Sequence, residues 1–167
     1  MNRSAHPPRR ARGSARLSFA LAAGVVLADQ LSKAWASRVL AVQGPRPLIP
    51  GLLDLHFTTN TGAAFSLLSG STRLLGLISV LVALVVVVWI LRQARRPMAL
   101  SRSLGLGLVL GGALGNGIDR WRLGEVVDFL ALVPVSFPIF NIADVAINLA
   151  VLAFALELLL PQPSGDA

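Results

Sequence analysis

Apolar stretches separated by polar segments are the main pattern along this 167-residue chain. A membrane-spanning helix needs about 20 mainly apolar residues, so the pattern predicts four spanning helices. Their expected positions are residues 17–39, 74–91, 104–118 and 139–160. The chain is therefore predicted to be a mainly α integral membrane protein in which residues 17–160 form one four-helix transmembrane domain.

The polar connections at residues 40–73 and 119–138 contain strand-like patterns. In the first, Leu53, Leu55 and Phe57 alternate with polar residues, which is the period of a strand with one covered face. In the second, the apolar runs VVDFL and VSFPIF could form short strands. We therefore expect strands in both connections.

The third apolar stretch is rich in glycine. Gly107, Gly111 and Gly115 recur at every fourth position, a spacing that lets another helix approach closely. This face could pack inside the monomer, which is the state we expect, or against a second copy of the chain.

Composition supports the membrane assignment and argues against nucleic acid. Apolar residues make up 54% of the chain and charged residues 14%, which is too little polar surface for a soluble domain. The net charge of +7 comes largely from arginines clustered at residues 1–16 and 92–103. Because no aromatic-interleaved basic face is visible, we expect no nucleic-acid partner.

The same basic clusters predict the topology. Under the positive-inside rule, residues 1–16 and 92–103 lie in the cytoplasm. Both termini are then cytoplasmic, and the two long connections face outward. Residues 1–16 are expected to be a disordered basic tail, and residues 161–167 a second, short cytoplasmic tail.

A cleaved signal peptide is an alternative for the first stretch. Basic residues precede an apolar run, and residues 34–36 (Ala-Trp-Ala) resemble a cleavage site. Against this, Asp29, Gln30 and Lys33 crowd the region before that site, and three more apolar stretches follow. We therefore interpret the first stretch as a span.

Residue types that the chain lacks narrow its possible chemistry. It has no cysteine, and its two histidines, His6 and His56, are far apart in sequence. A thiol nucleophile and a thiolate metal site are therefore impossible. We expect no metal and no cofactor, and we expect His56 to be an exposed strand residue.

Two carboxylates lie in nearly apolar surroundings, Asp128 in VVDFL and Asp144 in NIADVAI. The topology puts both at the outer ends of helices. Two close carboxylates in a low-dielectric site share a proton, so one can activate water while the other polarises a carbonyl. That chemistry hydrolyses peptides without a metal. The alternative is two separate structural carboxylates, each bonded to loop backbone or capping a helix.

Further polar residues are expected at the same membrane level. Helix periodicity puts them on shared faces in three groups: Asn141, Asp144 and Asn148; Asn116, Asp119 and Arg120; Asp29 and Lys33. For any one of them, polar contacts that hold a helix bundle together are an equally good explanation. Their convergence at one depth favours a functional site.

With these residues in place, the chain resembles the bacterial lipoprotein signal peptidases (signal peptidase II). Five blocks in order carry the resemblance: DQLSK at 29–33, NTGAAFS at 60–66, GGALGNGIDR at 111–120, VVDF at 126–129 and FNIAD at 140–144. The resemblance implies an aspartic endopeptidase of the bacterial cytoplasmic (inner) membrane. Such an enzyme removes the signal peptide of a prolipoprotein by cutting before a cysteine that carries a diacylglyceryl group.

The resemblance also implies residue roles. Asp128 and Asp144 match the catalytic pair. The residues that match site-lining or substrate-positioning residues are Asp29, Asn60, Asn116, Arg120 and Asn141, and those that match supporting residues are Lys33, Gly112 and Asp119. The implied fold has four transmembrane helices, a small extracytoplasmic β-sheet, a short interfacial helix and an active site at the outer face, in contact with membrane lipid.

The chain departs from the family pattern in two places. The Arg-rich tail is longer than the family core needs, and Ala150 stands where the family often has glycine.

A rival function uses the same residues. It is a proton-coupled transporter or membrane assembly factor with the Asp, Asn and Arg residues as a relay. A relay predicts carboxylates spread through the membrane, whereas here only Glu157, expected at the lipid interface, lies away from the outer ends.

Overall fold

The computed structural model describes residues 12–62, 70–95 and 98–159. Its helices are α1 (Ala15–Gln43), α2 (Thr72–Gln93), α3 (Leu100–Arg122) and α4 (Ile142–Leu159). Within these residues α1, α2 and α4 are long and apolar enough to cross a membrane. The remaining helix, α3, has 23 residues, but it contains many glycines and several polar side chains. Each of the first three helices is longer than its apolar stretch predicted.

Small antiparallel sheets lie at the two ends of the helix bundle. At one end β1 (Arg12–Gly13) pairs with β4 (Met98–Ala99), just before α1 and α3 begin. The other sheet contains β2 (Arg46–Ile49), β3 (Leu53–Asn60) and β5 (Val126–Leu132), in the order β2–β3–β5. Because β3 follows α1 and β5 follows α3, this second sheet lies at the opposite end of those two helices.

The strand predictions are right in two places and wrong in a third. Leu55 of β3 is buried and packs in one cluster with Leu53 and Phe57, as the alternation predicted, while His56 is exposed. VVDFL lies within β5. VSFPIF is not a strand, and only Phe140 makes an isolated bridge, to Leu130. A proline inside that run has no N–H to donate to a neighbouring strand. The sequence did not predict β2.

The expected disorder of residues 1–16 is wrong at the end of that segment. The Ser14 hydroxyl caps α1 by accepting a hydrogen bond from the Leu17 N–H at 3.1 Å. Ser18 of α1 donates to the Ser103 carbonyl of α3 at 2.8 Å, which ties the two helix starts together. Residues 1–11, 63–69 and 160–167 lie outside the described part of the chain, and so do the AAFS run at 63–66 and the tail at 161–167. The described residues contain no interfacial helix.

Helix α3 is the centre of the bundle and packs against α1, α2 and α4. Its glycines permit this close packing. A Cβ on Gly107 would lie 2.7 Å from the Ser18 carbonyl oxygen of α1, and a Cβ on Gly112 would lie 2.7 Å from the Ala143 carbonyl oxygen of α4. The glycine face is therefore used inside the monomer, where α1 occupies it.

Candidate active site

A cavity of about 620 Å³ lies beside the second sheet, near the end of α3 and the start of α4. Most of its lining is apolar and comes from α4 and the segment before it. The polar or charged side chains that line it are Asn60, Asn116, Arg120, Asp128, Asp144 and Asn148. Both carboxylates singled out from the sequence therefore face one cavity.

Strand β5 carries Asp128, which is 3% exposed. Its carboxylate accepts a hydrogen bond from Asn141 Nδ2 at 2.6 Å, and the Asn60 side chain also bonds to it. Burial, and secondly the negative charge of Asp144, raise the pKa of Asp128 to about 6. Asp128 can therefore hold a proton at a pH where an exposed aspartate is ionised.

The other carboxylate, Asp144, lies in the first turn of α4. Its oxygens accept hydrogen bonds from Asn116 Nδ2 at 2.8 Å and from the Asn141 N–H at 3.1 Å. In return, the Asn141 side-chain oxygen accepts from the Asp144 N–H at 3.0 Å. This reciprocal pair is a capping box, and the start of a helix favours a negative charge.

A single residue, Asn141, joins the two carboxylates. Its backbone N–H binds Asp144, while its side-chain Nδ2 binds Asp128 and also lies 3.0 Å from Asn116 Oδ1. The resemblance implied that Asn141 lines the site or positions the substrate. The residue is completely buried and does not itself line the cavity. Asn141 therefore binds both carboxylates from outside the cavity.

A buried ionic cluster lies deeper in the bundle. Lys33 Nζ is 2.9 Å from Asp29 Oδ2 and 2.9 Å from Asp119 Oδ2. It also donates to Asn116 Oδ1 at 2.9 Å. Burying a charge is costly unless it is paired and hydrogen-bonded, and here a lysine on α1 is shared by carboxylates on α1 and α3. The predicted ion pair of Asp29 with Lys33 is therefore confirmed.

The cluster positions the segments that carry Asp128 and Asp144 through backbone contacts. Asp29 Oδ1 accepts a hydrogen bond from the Ala143 N–H at 3.0 Å, next to Asp144. Asp119 Oδ2 accepts from the Val127 N–H at 3.2 Å, next to Asp128. Asp29, expected to line the site or position the substrate, is completely buried and does not itself line the cavity.

Sequence reasoning missed the role of Gln30. Its side-chain Nε2 donates to Asp119 Oδ1 at 2.9 Å and to the Gly115 carbonyl at 3.2 Å, so it joins α1 to α3 beside the ionic cluster. The available signal was a glutamine within an apolar helix, directly after Asp29.

The remaining predicted site residues have separate positions. Arg120 lines the cavity and donates to the Gly62 carbonyl at 3.1 Å, while its buried Nε has no partner among the described residues. Asn60 accepts from the Gly62 N–H at 2.8 Å. Gly112 permits the contact of α3 with α4. Glu157, expected at the lipid interface, forms an ion pair with Arg102 at the other end of the bundle.

The cavity offers acid–base chemistry. Asp128 and Asp144 line it together, with amides and a guanidinium beside them. A water between the carboxylates would face one group able to accept a proton and another able to donate one. Among the residues described, no group of three or more His, Asp or Glu side chains is placed to hold a metal.

Comparisons with known proteins show the family of the chain. The family described as Signal peptidase (SPase) II matches residues 21–160. A lipoprotein signal peptidase of Parasynechococcus marenigrum (strain WH8102) is 52% identical over 134 residues, which is 80% of this chain and 83% of that protein. One from Synechococcus sp. (strain RCC307) is 49% identical over 136 residues, covering 81% and 89%. A solved bacterial membrane enzyme superposes with a TM-score of 0.80 and 31% identity, covering 90% of this chain and 92% of the other.

Proposed function

The chain belongs to the signal peptidase II family, and on that premise we propose that it removes signal peptides from prolipoproteins with Asp128 and Asp144 as a catalytic aspartic pair. The observation that carries the proposal is that both carboxylates line one cavity and are joined through Asn141. Because the pair lies beside apolar walls, its substrate is expected to be partly lipidic.

In the proposed reaction Asp128 carries the proton of the pair, because burial raises its pKa to about 6. Asp144, at the start of α4, takes a proton from a water as the water oxygen attacks the scissile carbonyl carbon. Asp128 gives its proton to the carbonyl oxygen, which forms a neutral gem-diol. Asp144 then protonates the leaving nitrogen while Asp128 recovers a proton from a diol hydroxyl, and the C–N bond breaks.

The remaining groups in the cavity suit a lipidated peptide. Arg120 and Asn60 are placed to hold backbone carbonyls, and the buried Arg120 Nε lacks an acceptor among the described residues. Apolar residues of α4 that line the cavity, such as Leu149 and Leu152, would contact acyl chains. This fits cleavage before a diacylglyceryl-modified cysteine.

We propose that α3 is a fourth span although its hydropathy is low. At about 1.5 Å per residue, a helix of 23 residues crosses a hydrocarbon layer of roughly 30 Å. β1 and β4 pair at the starts of α1 and α3, and β3 and β5 pair after their ends, so both helices run between the same two sheets. Its neighbours shield α3 from lipid, so it does not need a strongly apolar surface.

This arrangement orients the chain in the inner membrane. The basic loop beside β4 and the N-terminal tail face the cytoplasm under the positive-inside rule. The three-stranded sheet and the cavity then lie at the outer face, where a lipoprotein signal peptide would leave the membrane.

The test is cleavage of a purified diacylglyceryl-prolipoprotein by Asp128→Asn and Asp144→Asn variants. Each variant is expected to lose detectable cleavage while remaining folded in a thermal unfolding measurement, because asparagine preserves shape but cannot transfer the proton. The matched control is Asp54→Asn, on strand β3 and outside the cavity lining, which should cleave normally. Normal processing by either catalytic-pair variant would sink the proposal.

A further inference from the structure

Two adjoining pockets lie on the far side of Arg120 from the candidate active site. The outer pocket, of about 860 Å³, lies where α2 begins and α3 ends. The inner groove, of about 290 Å³, runs between α2 and α3. Trp121 lines both, and Arg120 is the residue that the outer pocket shares with the catalytic cavity. The two pockets therefore form one surface feature separate from the aspartic pair.

The outer pocket is cationic. Arg73 and Arg120 line it, and Arg122 lines the neighbouring groove. No carboxylate lines either pocket within the described residues, and Glu125 follows Gly124 without lining them. Lys33 and Arg102 are the cations that form ion pairs in the described ranges. Arg73 and Arg122 therefore have no carboxylate partner there, although Arg122 Nη1 donates to Gln30 Oε1 of α1 at 3.4 Å.

The inner groove is apolar and faces outward from the bundle. Val80 of α2 is 42% exposed, and Leu114 of α3 is 38% exposed. Gly117 and Ser79 face each other between the helices, since a Cβ on Gly117 would lie 3.1 Å from the Ser79 Cβ. The small residues leave a channel beneath Trp121, whose side chain is 56% exposed.

The position of these arginines makes the pocket unusual. Basic residues normally gather on the cytoplasmic side of a membrane protein, yet Arg73 and Arg122 lie at the end that carries the three-stranded sheet. Aromatic side chains such as Trp121 favour the level of the lipid headgroups. A cationic pocket at that level, directly above an apolar groove, matches the two halves of a phospholipid.

We propose that this feature binds an anionic phospholipid of the membrane. Its phosphate contacts Arg73, which lines the outer pocket, and Arg122, which lines the groove, beside Trp121. One acyl chain lies in the groove between α2 and α3. The apolar groove selects a lipid over a free phosphate ion, because a soluble anion leaves the groove unfilled.

Brominated lipids test the proposal through quenching of tryptophan fluorescence. Replacing Trp35 and Trp89 by phenylalanine leaves Trp121 as the one tryptophan of the chain. This protein is reconstituted in phosphatidylcholine that contains a small fraction of either brominated phosphatidylglycerol or brominated phosphatidylcholine. The anionic lipid is expected to quench Trp121 several-fold more than the zwitterionic lipid at the same fraction. Equal quenching by the two lipids overturns the proposal.

Substitutions in the same background separate the headgroup from the chain contact. Arg73→Gln with Arg122→Gln should abolish the preference for the anionic lipid, and Val80→Phe, which fills the groove, should lower quenching by both lipids. Arg38→Gln removes an exposed arginine from α1 and should leave the preference intact. If this control lowers the preference as far as the double substitution does, bulk charge explains the binding and the site is refuted.

A cleavage assay in phospholipid-free detergent distinguishes a lipid from the substrate peptide as the occupant. The same variants are expected to cleave prolipoprotein with an unchanged KM. A tenfold increase in KM there would assign the groove to the signal peptide and overturn the proposal. Since the quenching experiment needs no enzymatic activity, its outcome is independent of whether the aspartic pair is catalytic.

Discussion

At the scale of single residues, Asp128 is a carboxylate whose ionisation opposes folding. Burial raises its pKa from an ordinary value of 3.8 to about 6. Below about pH 4 the group is protonated in both the folded and the unfolded chain, so its ionisation does not lower the free energy of unfolding. As the pH rises to about 6, the unfolded chain releases this proton at a lower pH than the folded protein does, so the free energy of unfolding falls. The fall is roughly 3 kcal/mol, because each pKa unit is worth about 1.4 kcal/mol.

Asp128→Asn is therefore expected to stabilise the protein at pH 8 and to have little effect at pH 4. The asparagine stays neutral at every pH and keeps one oxygen to accept from Asn141. Thermal unfolding in detergent, followed by tryptophan fluorescence, should show a rise of several degrees at pH 8. Asp54→Asn on the same sheet is the control and should change neither value. An equal gain at both pH values would show that hydrogen bonding, not ionisation, limits stability at this position.

The residues that could be predicted from sequence are those whose type conflicts with their surroundings. Asp128 and Asp144 stood out because each is a carboxylate within an apolar run. Asn141 was expected among the residues that line the site or position the substrate, but its link between the carboxylates depends on how β5 approaches the start of α4. Gln30 was missed for the same reason, because its partners are on α3. Local sequence carries no information on such distances.

At the scale of elements, the glycines of α3 determine how closely α1 and α4 approach. A Cβ on Gly115 would lie 2.7 Å from Asp29 Oδ2 and 3.1 Å from the Ala143 Cβ. Asp29 binds the backbone N–H of Ala143, next to Asp144. A side chain at Gly115 would therefore disturb both the helix contact and the carboxylate that positions α4.

Gly115→Ala should destabilise the fold by about 1–3 kcal/mol through overpacking and reduce cleavage. Gly24→Ala on α1 is a matched control, because a Cβ there meets nothing within 4 Å. It should be neutral or stabilise by up to about 1 kcal/mol, since alanine is the better helix former. Unfolding temperatures and cleavage rates of the two variants check the contrast. If both alanines behave alike, close packing at Gly115 is not what the glycine provides.

Helix boundaries were predicted only in part, for a physical reason. The apolar stretch at 104–118 ends where polar residues begin, whereas α3 runs over Leu100–Arg122. Its polar ends are partnered by other parts of the protein, as Asp119 is by Lys33, so the helix continues where hydropathy alone stops. The edge strand β2 has exposed residues throughout and left no alternating pattern to detect.

At the scale of the whole molecule, the acidic residues on the described helices gather at one end of the bundle. Asp29, Asp119 and Asp144 lie near the three-stranded sheet, and Glu157 at the other end is paired with Arg102. A proton relay across the membrane would need titratable groups between these two levels. The distribution therefore favours a single site at one surface over the transporter alternative.

The proposed four-span topology predicts which loops an impermeant maleimide can reach. The chain has no cysteine, so single cysteines can be introduced without background at His56, Ala94 and Val135, which are exposed positions after α1, α2 and α3. If α3 spans the membrane, the pairing of β3 with β5 puts His56→Cys and Val135→Cys on the outer side. Both should be labelled in intact spheroplasts, whereas Ala94→Cys should be labelled only after lysis.

Retained cleavage of prolipoprotein by each cysteine variant would show that the labelled protein is folded. If Ala94→Cys and Val135→Cys were both labelled in intact spheroplasts, or both only after lysis, the two ends of α3 would lie on one side of the membrane. That result would exclude the fourth span, and it could not be reconciled with the sheet that holds Asp128 beside Asn60. The low hydropathy of α3 is the argument against a fourth span, and its position between the two sheets is the argument for one. The labelling experiment therefore decides which of these two observations predicts the topology.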